Sequence, residues 1–291
     1  MNTPLISIII PTYNRSFLLD RAIKSIINQT YQNWEIIIID NNSTDDTDLV
    51  LEKYKEEKIV VKKINNEGII AKSRNLGIKF AKGKYIAFLD SDDWWENKKI
   101  QVCMQMFENS NIDLIYHNCF ISGKNKKKRS NCRKLNFNHY EDLVVNGNTI
   151  ITSSVILNIK NITENLFFSE EIKKTGWEDY DLWLRLAKLG CKFSFIKKCL
   201  GNYHFGDDNF DNPKKILENI DSMYESIFKK YLLDYPARQI WWTNYTKGIA
   251  YFNLNDKNQS YTYFSKVLKS SSPLLSKLKA LFYILFKLPK L

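Results

Sequence analysis

The chain has 291 residues, of which 44% are hydrophobic and 26% are charged, as in an ordinary folded protein with one large domain and an appendage or with two small domains. Its five cysteines are widely spaced without a C-x-x-C pair, so we expect reduced thiols and neither a disulfide framework nor a zinc site. No stretch reaches the roughly 20 apolar residues of a membrane span, so we expect no transmembrane helix, and we also expect no signal peptide. The net charge of +11 comes from two segments without acids, residues 124–134 and the stretch after Asp256, and the slightly acidic remainder argues against a nucleic-acid-binding groove.

The first ninety residues predict an alternation of buried strands and amphipathic helices. Short apolar, β-branched runs predict strands at 5–10, 34–39, 59–64 and 85–89. Apolar residues at helical spacing predict helices at 17–29, 49–55 and 70–81. Ser43 or Thr44 is placed to cap the second helix. This alternation implies parallel strands with helices on both faces of the sheet.

Polar side chains follow three of these strands, at the edge where open parallel sheets bind ligands. They are Thr12, Tyr13 and Asn14 after the first strand, Asp40 and Asn42 after the second, and Asp90 and Asp92 after the fourth. Because one residue separates Asp90 from Asp92, both carboxylates can approach one hard divalent ion that keeps some waters and takes diphosphate oxygens. The alternative is a solvated, aspartate-rich turn that also includes Asp93.

The pattern after residue 97 is less regular. A helix over 97–108 and a strand over 113–120 precede a mobile basic loop at 124–134, and a further strand is predicted at 149–157. Glu178, Asp179 and Asp181 crowd the first turn of the next helix, where the helix dipole stabilises carboxylates, so simple capping is the alternative to a functional role. A short strand at 193–196 and a polar loop at 202–208 follow.

The remaining residues predict helices. One covers 216–231, and a pair at 241–252 and 260–269 is spaced like a tetratricopeptide hairpin. The last segment, 274–289, is apolar on most sides and flanked by lysines, which favours an interfacial helix on an anionic membrane leaflet over a core helix. We therefore divide the chain into a domain over 1–215 and a helical extension over 216–291.

Five motifs in register resemble the family 2 glycosyltransferases. They are Ser7–Arg15, Ile39–Thr47, Ala71–Gly77, Phe88–Asp93 and Trp177–Arg185, and the resemblance covers about residues 4 to 205. It implies an inverting enzyme of the GT-A fold, an α/β fold with a Rossmann-like, mainly parallel sheet flanked by helices, here with a C-terminal helical extension. Many relatives have an aspartate where this chain has Asn41, from which little follows.

The resemblance also implies roles for individual residues. It assigns the nucleotide of a UDP-sugar to Pro11, Thr12, Tyr13, Asn14, Asp40, Asn42, Arg74 and Asp90. Asp90 and Asp92 match the DxD motif that holds Mn²⁺ or Mg²⁺, with His204 as a further metal or diphosphate ligand, and Asp179 matches the general base. The alternatives are a surface position for Arg74 and a hydrogen-bonded loop histidine for His204.

The implied reaction is transfer of a hexose, from UDP-glucose or UDP-galactose, to a lipid-linked or oligosaccharide acceptor in O-antigen, capsule or lipooligosaccharide synthesis. We expect a cytoplasmic protein associated peripherally with the inner face of the cell membrane. The alternative is a catalytically silent GT-A-like module that serves as a partner platform in a glycan assembly complex.

Overall fold

The structure is a computed structural model that describes residues 3–55, 58–108, 110–122, 127–162, 166–171, 174, 176–204, 212–235 and 239–287. The chain divides into two compact units. The first comprises Met1–His139, Thr149–Glu170 and Glu178–Gly206, and the second comprises Tyr140–Asn148, Glu171–Trp177 and Asp207–Leu291. The domain boundary after residue 215 stays a prediction.

The first unit is built on one mixed sheet. Its strands are β1 Ile6–Thr12, β2 Trp34–Asp40, β3 Ile59–Lys63, β4 Tyr85–Phe88, β5 Trp94–Trp95, β6 Leu114–Ser122, β7 Lys127–Arg129, β8 Ile156–Asn158 and β9 Phe193–His204. They lie in the order β3-β2-β1-β4-β8-β6-β9-β5, with β7 paired to β6. β1 to β4 are mutually parallel as predicted, β9 is parallel to β6, and β8 is antiparallel to β4 and β6.

Helices cover both faces of this sheet. They are α1 Ser16–Ile27, α2 Thr47–Glu52, α3 Ile70–Phe80, α4 Lys99–Glu108 and α6 Glu178–Lys188. The intervening helix, α5 His139–Asn146, belongs to the second unit from Tyr140 onwards. Ile8 and Ile10 of β1 join the core cluster that includes α1, whereas Ile9 points to the other face and contacts Gly77 of α3. A strand covered on both sides needs apolar residues at every position, which explains the unbroken isoleucine run.

Several local predictions are wrong. β9 continues through residues 202–204, where a polar loop was predicted, because its backbone pairs with β6 as far as His204. The predicted strand at 149–157 is a 3₁₀ turn at Thr152–Ser154 followed by the short β8. Neither Ser43 nor Thr44 caps α2, whose N-cap residue is Asp46. Part of the predicted basic loop forms β7, while residues 124–126 and 205–208 lie outside the described residues.

The second unit is helical, as predicted. It contains α7 Pro213–Met223, a π-helical turn Tyr224–Phe228, α8 Lys229–Asp234, α9 Trp241–Asn253, α10 Lys257–Lys269, α11 Leu274–Phe282 and a second π-helical turn Tyr283–Lys287. The predicted pair is α9 and α10, where Gly248 lets the helices approach at Phe264. Residues 288 and 289 of the predicted last helix lie outside the described residues. Within the described part of the chain, every helix is too short or too polar to span a bilayer.

Candidate active site

The ends of β1 and β2 bring Thr12 beside Asp40, which are direct neighbours in the sheet register. Asp40 is fully buried, and its Oδ1 accepts hydrogen bonds from the amide and hydroxyl of Ser43. Among the described residues, neither Asp40 Oδ2 nor Thr12 Oγ1 has a hydrogen-bond partner, although Lys63 Nζ lies 3.8 Å from Asp40 Oδ2. Buried polar atoms are costly without a partner, so this edge has hydrogen-bonding capacity for a ligand.

The loop after β1 is tied to the loop after β2. The Asn14 amide donates to Ser43 Oγ at 2.9 Å, and Asn14 Oδ1 accepts from the Thr44 amide at 2.7 Å. Asn14 and Asn42 both have left-handed backbones, with φ of 48° and 53°. Tyr13 is 53% exposed at this edge.

Pro11 was predicted in the loop but lies in β1, opposite Ile39 of β2. Its missing N–H leaves no gap in the described sheet, because β4 pairs with β1 only as far as Ile9.

Three acids meet after β4, and two arginine side chains bind their carboxylates. Asp90 Oδ1 accepts from Arg74 Nη2 at 2.7 Å, and Arg15 Nη1 forms an ion pair with Asp92 Oδ2. The third acid, Asp93, is almost fully buried. Burial, followed by repulsion from Asp90, raises the pKa of Asp92, and burial with the negative charge of Asp92 raises the pKa of Asp93 well above its usual range. The predicted solvated turn is therefore wrong for Asp93.

His204 contributes to this cluster through its backbone. Its N–H donates to Asp93 Oδ1 at 2.7 Å, while Asp93 Oδ2 has no hydrogen-bond partner among the described residues. A role for the His204 ring in binding a metal or diphosphate stays a prediction. Tyr203, the preceding residue, has a raised pKa because of burial and then of the surrounding acids, Asp93 first.

Arg74 links this cluster to the start of α6. It is only 3% exposed, and its Nη1 donates to Glu178 Oε1 at 2.7 Å while Nη2 binds Asp90. The alternative of a surface arginine is therefore wrong. Burial alone would lower the pKa of Arg74, but the charges of Asp90 and Glu178 raise it above its usual value. The guanidinium is thus a permanent cation between two parts of the chain far apart in sequence.

Asp179 lies in the first turn of α6, next to this bridge. Its Oδ2 accepts a hydrogen bond from Thr152 Oγ1 at 2.8 Å, and its Oδ1 accepts from the Tyr180 amide at 2.6 Å. Burial, followed by repulsion from Glu178, raises the pKa of Asp179 to about 7. A carboxyl group with a pKa near neutrality can both take up and release a proton under physiological conditions.

Several residues of this site carried no assigned role in the sequence reading. Arg15 and Glu178 lie inside the motifs, each next to a predicted site residue, so their positions in the sequence could have indicated a role in the site. Ser153 had no such signal, yet its Oγ accepts from the Asp90 amide at 3.0 Å and its carbonyl accepts from Trp95 Nε1 at 2.8 Å.

The acid cluster fits a divalent ion that completes its shell with other oxygens. Asp90 and Asp92 supply hard oxygen donors, and the Oδ2 atom of Asp93 is a further buried oxygen without a hydrogen-bond partner among the described residues. Within the described ranges, no three His, Cys, Asp or Glu side chains form a metal cage by themselves. Mg²⁺ and Mn²⁺ suit such a partial set, because Mg²⁺ in particular binds through one or two carboxylates, waters and substrate phosphates.

Residues 7–165, more than half of the chain, match the family model described as Glycosyl transferase family 2. The chain belongs to this family. It is 29% identical over 248 residues to the UDP-Glc:alpha-D-GlcNAc-diphosphoundecaprenol beta-1,3-glucosyltransferase WfgD of Escherichia coli, a match that covers 81% of this chain and 93% of the relative. It is 36% identical over 204 residues to WfaP of Escherichia coli, described by the same activity, with 65% and 72% covered.

Family 2 membership agrees with the likeness to a solved structure. The mannosyltransferase PcManGT from Pyrobaculum calidifontis, in complex with GDP-Man and Mn²⁺, matches with a TM-score of 0.62 and 14% identity, covering 98% of this chain and 82% of that one. At this identity the match shows the fold alone. The predicted GT-A fold with a helical C-terminal region is therefore confirmed.

Proposed function

We propose that this family 2 member is an inverting glycosyltransferase that moves a hexose from a UDP-sugar to a lipid-linked acceptor in bacterial surface-polysaccharide synthesis. The observation that carries the proposal is the Arg74 bridge, which joins the acids after β4 to the start of α6, where Asp179 has a pKa near 7. UDP-glucose and UDP-galactose are the candidate donors. UDP-glucose is favoured because both Escherichia coli relatives are named for it.

Asp179 is the general base of this reaction. Its ionised carboxylate takes the proton from the acceptor hydroxyl as that oxygen attacks the anomeric carbon from the face opposite UDP, which inverts the configuration. The Thr152 hydroxyl holds one carboxylate oxygen and favours the ionised form. One base suffices, because a single in-line displacement needs no second carboxylate as nucleophile.

The donor lies along the carboxyl edge of the strands. The uracil and ribose bind at the loop of Pro11, Thr12, Tyr13 and Asn14 and at Asp40 and Asn42, supported by the unpartnered buried atoms of Thr12 and Asp40. Asp90 and Asp92 would hold Mn²⁺ or Mg²⁺, with His204 as a candidate ligand. The ion supplies Lewis-acid stabilisation of the negative charge on departing UDP. Arg74 pairs with Asp90 and orients its carboxylate.

The activity test measures UDP release with UDP-glucose or UDP-galactose, Mn²⁺ and an N-acetylglucosamine diphospholipid acceptor. We expect EDTA to abolish release and Asp179→Asn to reduce it by about a thousandfold, the scale of general-base catalysis. The matched control is Asp46→Asn, which changes an exposed carboxylate that makes no cap hydrogen bond. If glycan synthesis in cells persists with Asp179→Asn, the silent partner-platform alternative replaces this proposal.

We further propose that the protein works at the inner, cytoplasmic face of the cell membrane, docked through α11 and the turn that follows. One side of this segment packs on α10 through Ala280, Tyr283 and Ile284. The opposite side exposes large apolar side chains at helical spacing, each 39% to 73% exposed: Leu274, Leu275, Leu278, Leu281, Phe282, Leu285 and Phe286. A surface helix that is apolar on both sides needs a second apolar environment.

The charge of the segment supports an anionic bilayer as that environment. After Asp256 the sequence contains seven lysines and no acid. Basic side chains beside an apolar face are attracted to anionic headgroups while the apolar face enters the interface. The acceptors named for the relatives, diphosphoundecaprenol derivatives, are lipids, which agrees with a site of action at this surface.

Co-sedimentation with vesicles tests the docking. We expect binding to vesicles containing phosphatidylglycerol, weak binding to phosphatidylcholine alone, and loss of binding in Leu278→Glu/Leu285→Glu. Leu233→Glu is the control, because Leu233 is an even more exposed leucine, at 77%, but lies on α8. If the double variant binds vesicles as the wild type does, the protein docks through another surface. If the wild type is a dimer that the double variant dissociates, the apolar face binds a second copy of the chain instead of a membrane.

A further inference from the structure

The loop after β1 presents Arg15 to the carboxylate of Asp92. Arg15 is the N-cap residue of α1, and the next amide, of Ser16, donates to Asp45 Oδ2 at 2.9 Å, so the backbone here is anchored to the neighbouring loop. The Arg15 side chain is 33% exposed and pairs through Nη1 with Asp92 Oδ2. A divalent ion bound by Asp92 competes with Arg15 for the same carboxylate, because the two cations repel each other.

Arg21 contacts the same aspartate in a different way. Its Nη2 donates to the backbone carbonyl oxygen of Asp92 at 2.6 Å, and its guanidinium lies 3.7 Å over the centre of the Trp94 ring. These contacts fix the backbone after β4 and involve the Asp92 main chain. The roles of the two arginines are therefore separable: Arg21 positions the turn, whereas Arg15 neutralises the carboxylate.

We propose that Arg15 is a diphosphate-binding residue that covers the Asp92 carboxylate in the protein without donor, so that Asp92 accepts a divalent ion only when the donor diphosphate draws Arg15 away. This inference rests on the proposed function, since it concerns the same donor site. The planar guanidinium suits this exchange, because it pairs equally well with carboxylate and phosphate oxygens.

The exchange couples the two ligands. Without the diphosphate, a metal ion at Asp92 is repelled by the positive charge of Arg15 on the same carboxylate, so the ion binds weakly. With the diphosphate present, Arg15 and the ion each gain phosphate oxygens. Each ligand therefore raises the affinity of the site for the other by the same factor, as linkage requires.

Calorimetric titration tests the coupling without turnover. We measure the binding of Mn²⁺ alone, and of UDP at saturating Mn²⁺, to the full-length wild type and to Arg15→Gln. We expect the variant to bind Mn²⁺ alone about tenfold more tightly and UDP about tenfold more weakly, the scale of one charge-assisted hydrogen bond. Lys24→Gln is the matched control, because it removes one positive charge from α1 at a side chain that is 61% exposed and pairs with Asp20. It should change neither affinity.

The outcomes separate this inference from the proposed function. If the wild type binds both probes but Arg15→Gln leaves either affinity unchanged, the exchange is wrong and the proposed function stands. If the wild type binds neither Mn²⁺ nor UDP, both are overturned. If circular dichroism shows that Arg15→Gln does not fold, Arg15→Lys replaces it, since lysine keeps the charge but loses the bidentate fork, and unchanged affinities in that variant overturn the exchange.

Discussion

Lowering the pH from about 8 to about 6 should slow turnover about tenfold, because Asp179 must be ionised to accept the proton of the acceptor hydroxyl. Burial, followed by repulsion from Glu178, raises the pKa of Asp179 to about 7. A group with this pKa is about nine-tenths ionised at pH 8 and about one-tenth ionised at pH 6. An aspartate with an ordinary pKa would be ionised at both values and would give equal rates.

The assay is kcat/KM for UDP release over this range at constant ionic strength, for the wild type and Thr152→Val. The variant removes the hydrogen bond that lowers the pKa of Asp179, so the acidic limb of the profile should move to higher pH. Thr30→Val, at an exposed threonine that bonds Gln101, is the control and should leave the limb in place. A wild-type rate that is equal at both pH values, or a limb that Thr152→Val does not move, would refute the reasoning.

Three further predictions concern stability. Asp179→Asn should raise Tm at about pH 8, because the ionised Asp179 side chain destabilises the folded protein. The pKa of Asp179 is about 7 in the folded protein and 3.8 in the unfolded chain, so the gain in Tm should fade as the pH falls from about 7 towards 3.8. Lys99→Met should raise Tm by about 5 °C at about pH 6, because burial lowers the pKa of Lys99 to about 7 and the charged lysine opposes folding at this pH. The gain in Tm should be smaller towards pH 10, where the buried lysine is neutral in the folded protein. Gly83→Ala should cost about 2 kcal/mol in urea unfolding, because the new Cβ would lie 2.7 Å from the backbone nitrogen of Ser7; an unchanged midpoint would contradict that contact.

Most of the sheet was predictable because its signals are local. Unbroken apolar runs mark strands covered on both faces, and helical spacing marks α1 and α3, so the parallel arrangement of β1 to β4 followed from the order of elements. The short strands β5 and β7 and the end of β9 were not predictable in the same way. β5 has two residues and β7 has three, and the last third of β9 is polar, so these strands exist only because neighbouring backbones supply hydrogen-bond partners.

The candidate active site also has residues that the sequence predicted and a contact that it did not. The motifs placed Thr12, Asp40, Asp90 and Asp92 at strand ends, and the register of β1 and β2 then made Thr12 and Asp40 neighbours. Nothing in the sequence indicated that Thr152 would hold the carboxylate of Asp179. A threonine in a short 3₁₀ turn has no periodic pattern, and its partner lies in a different element.

The amino-acid sequence by itself determined the family, the class of fold and the identity of the acids, because these depend on residue types at fixed spacing along the chain. Only the tertiary structure decided which charges meet. Arg74 pairs with both Asp90 and Glu178, and Arg15 pairs with Asp92, across gaps of up to 104 residues. Burial then sets the pKa of Asp179 near 7. Electrostatic energies depend on distances and on exclusion of water, which exist only once the chain has folded.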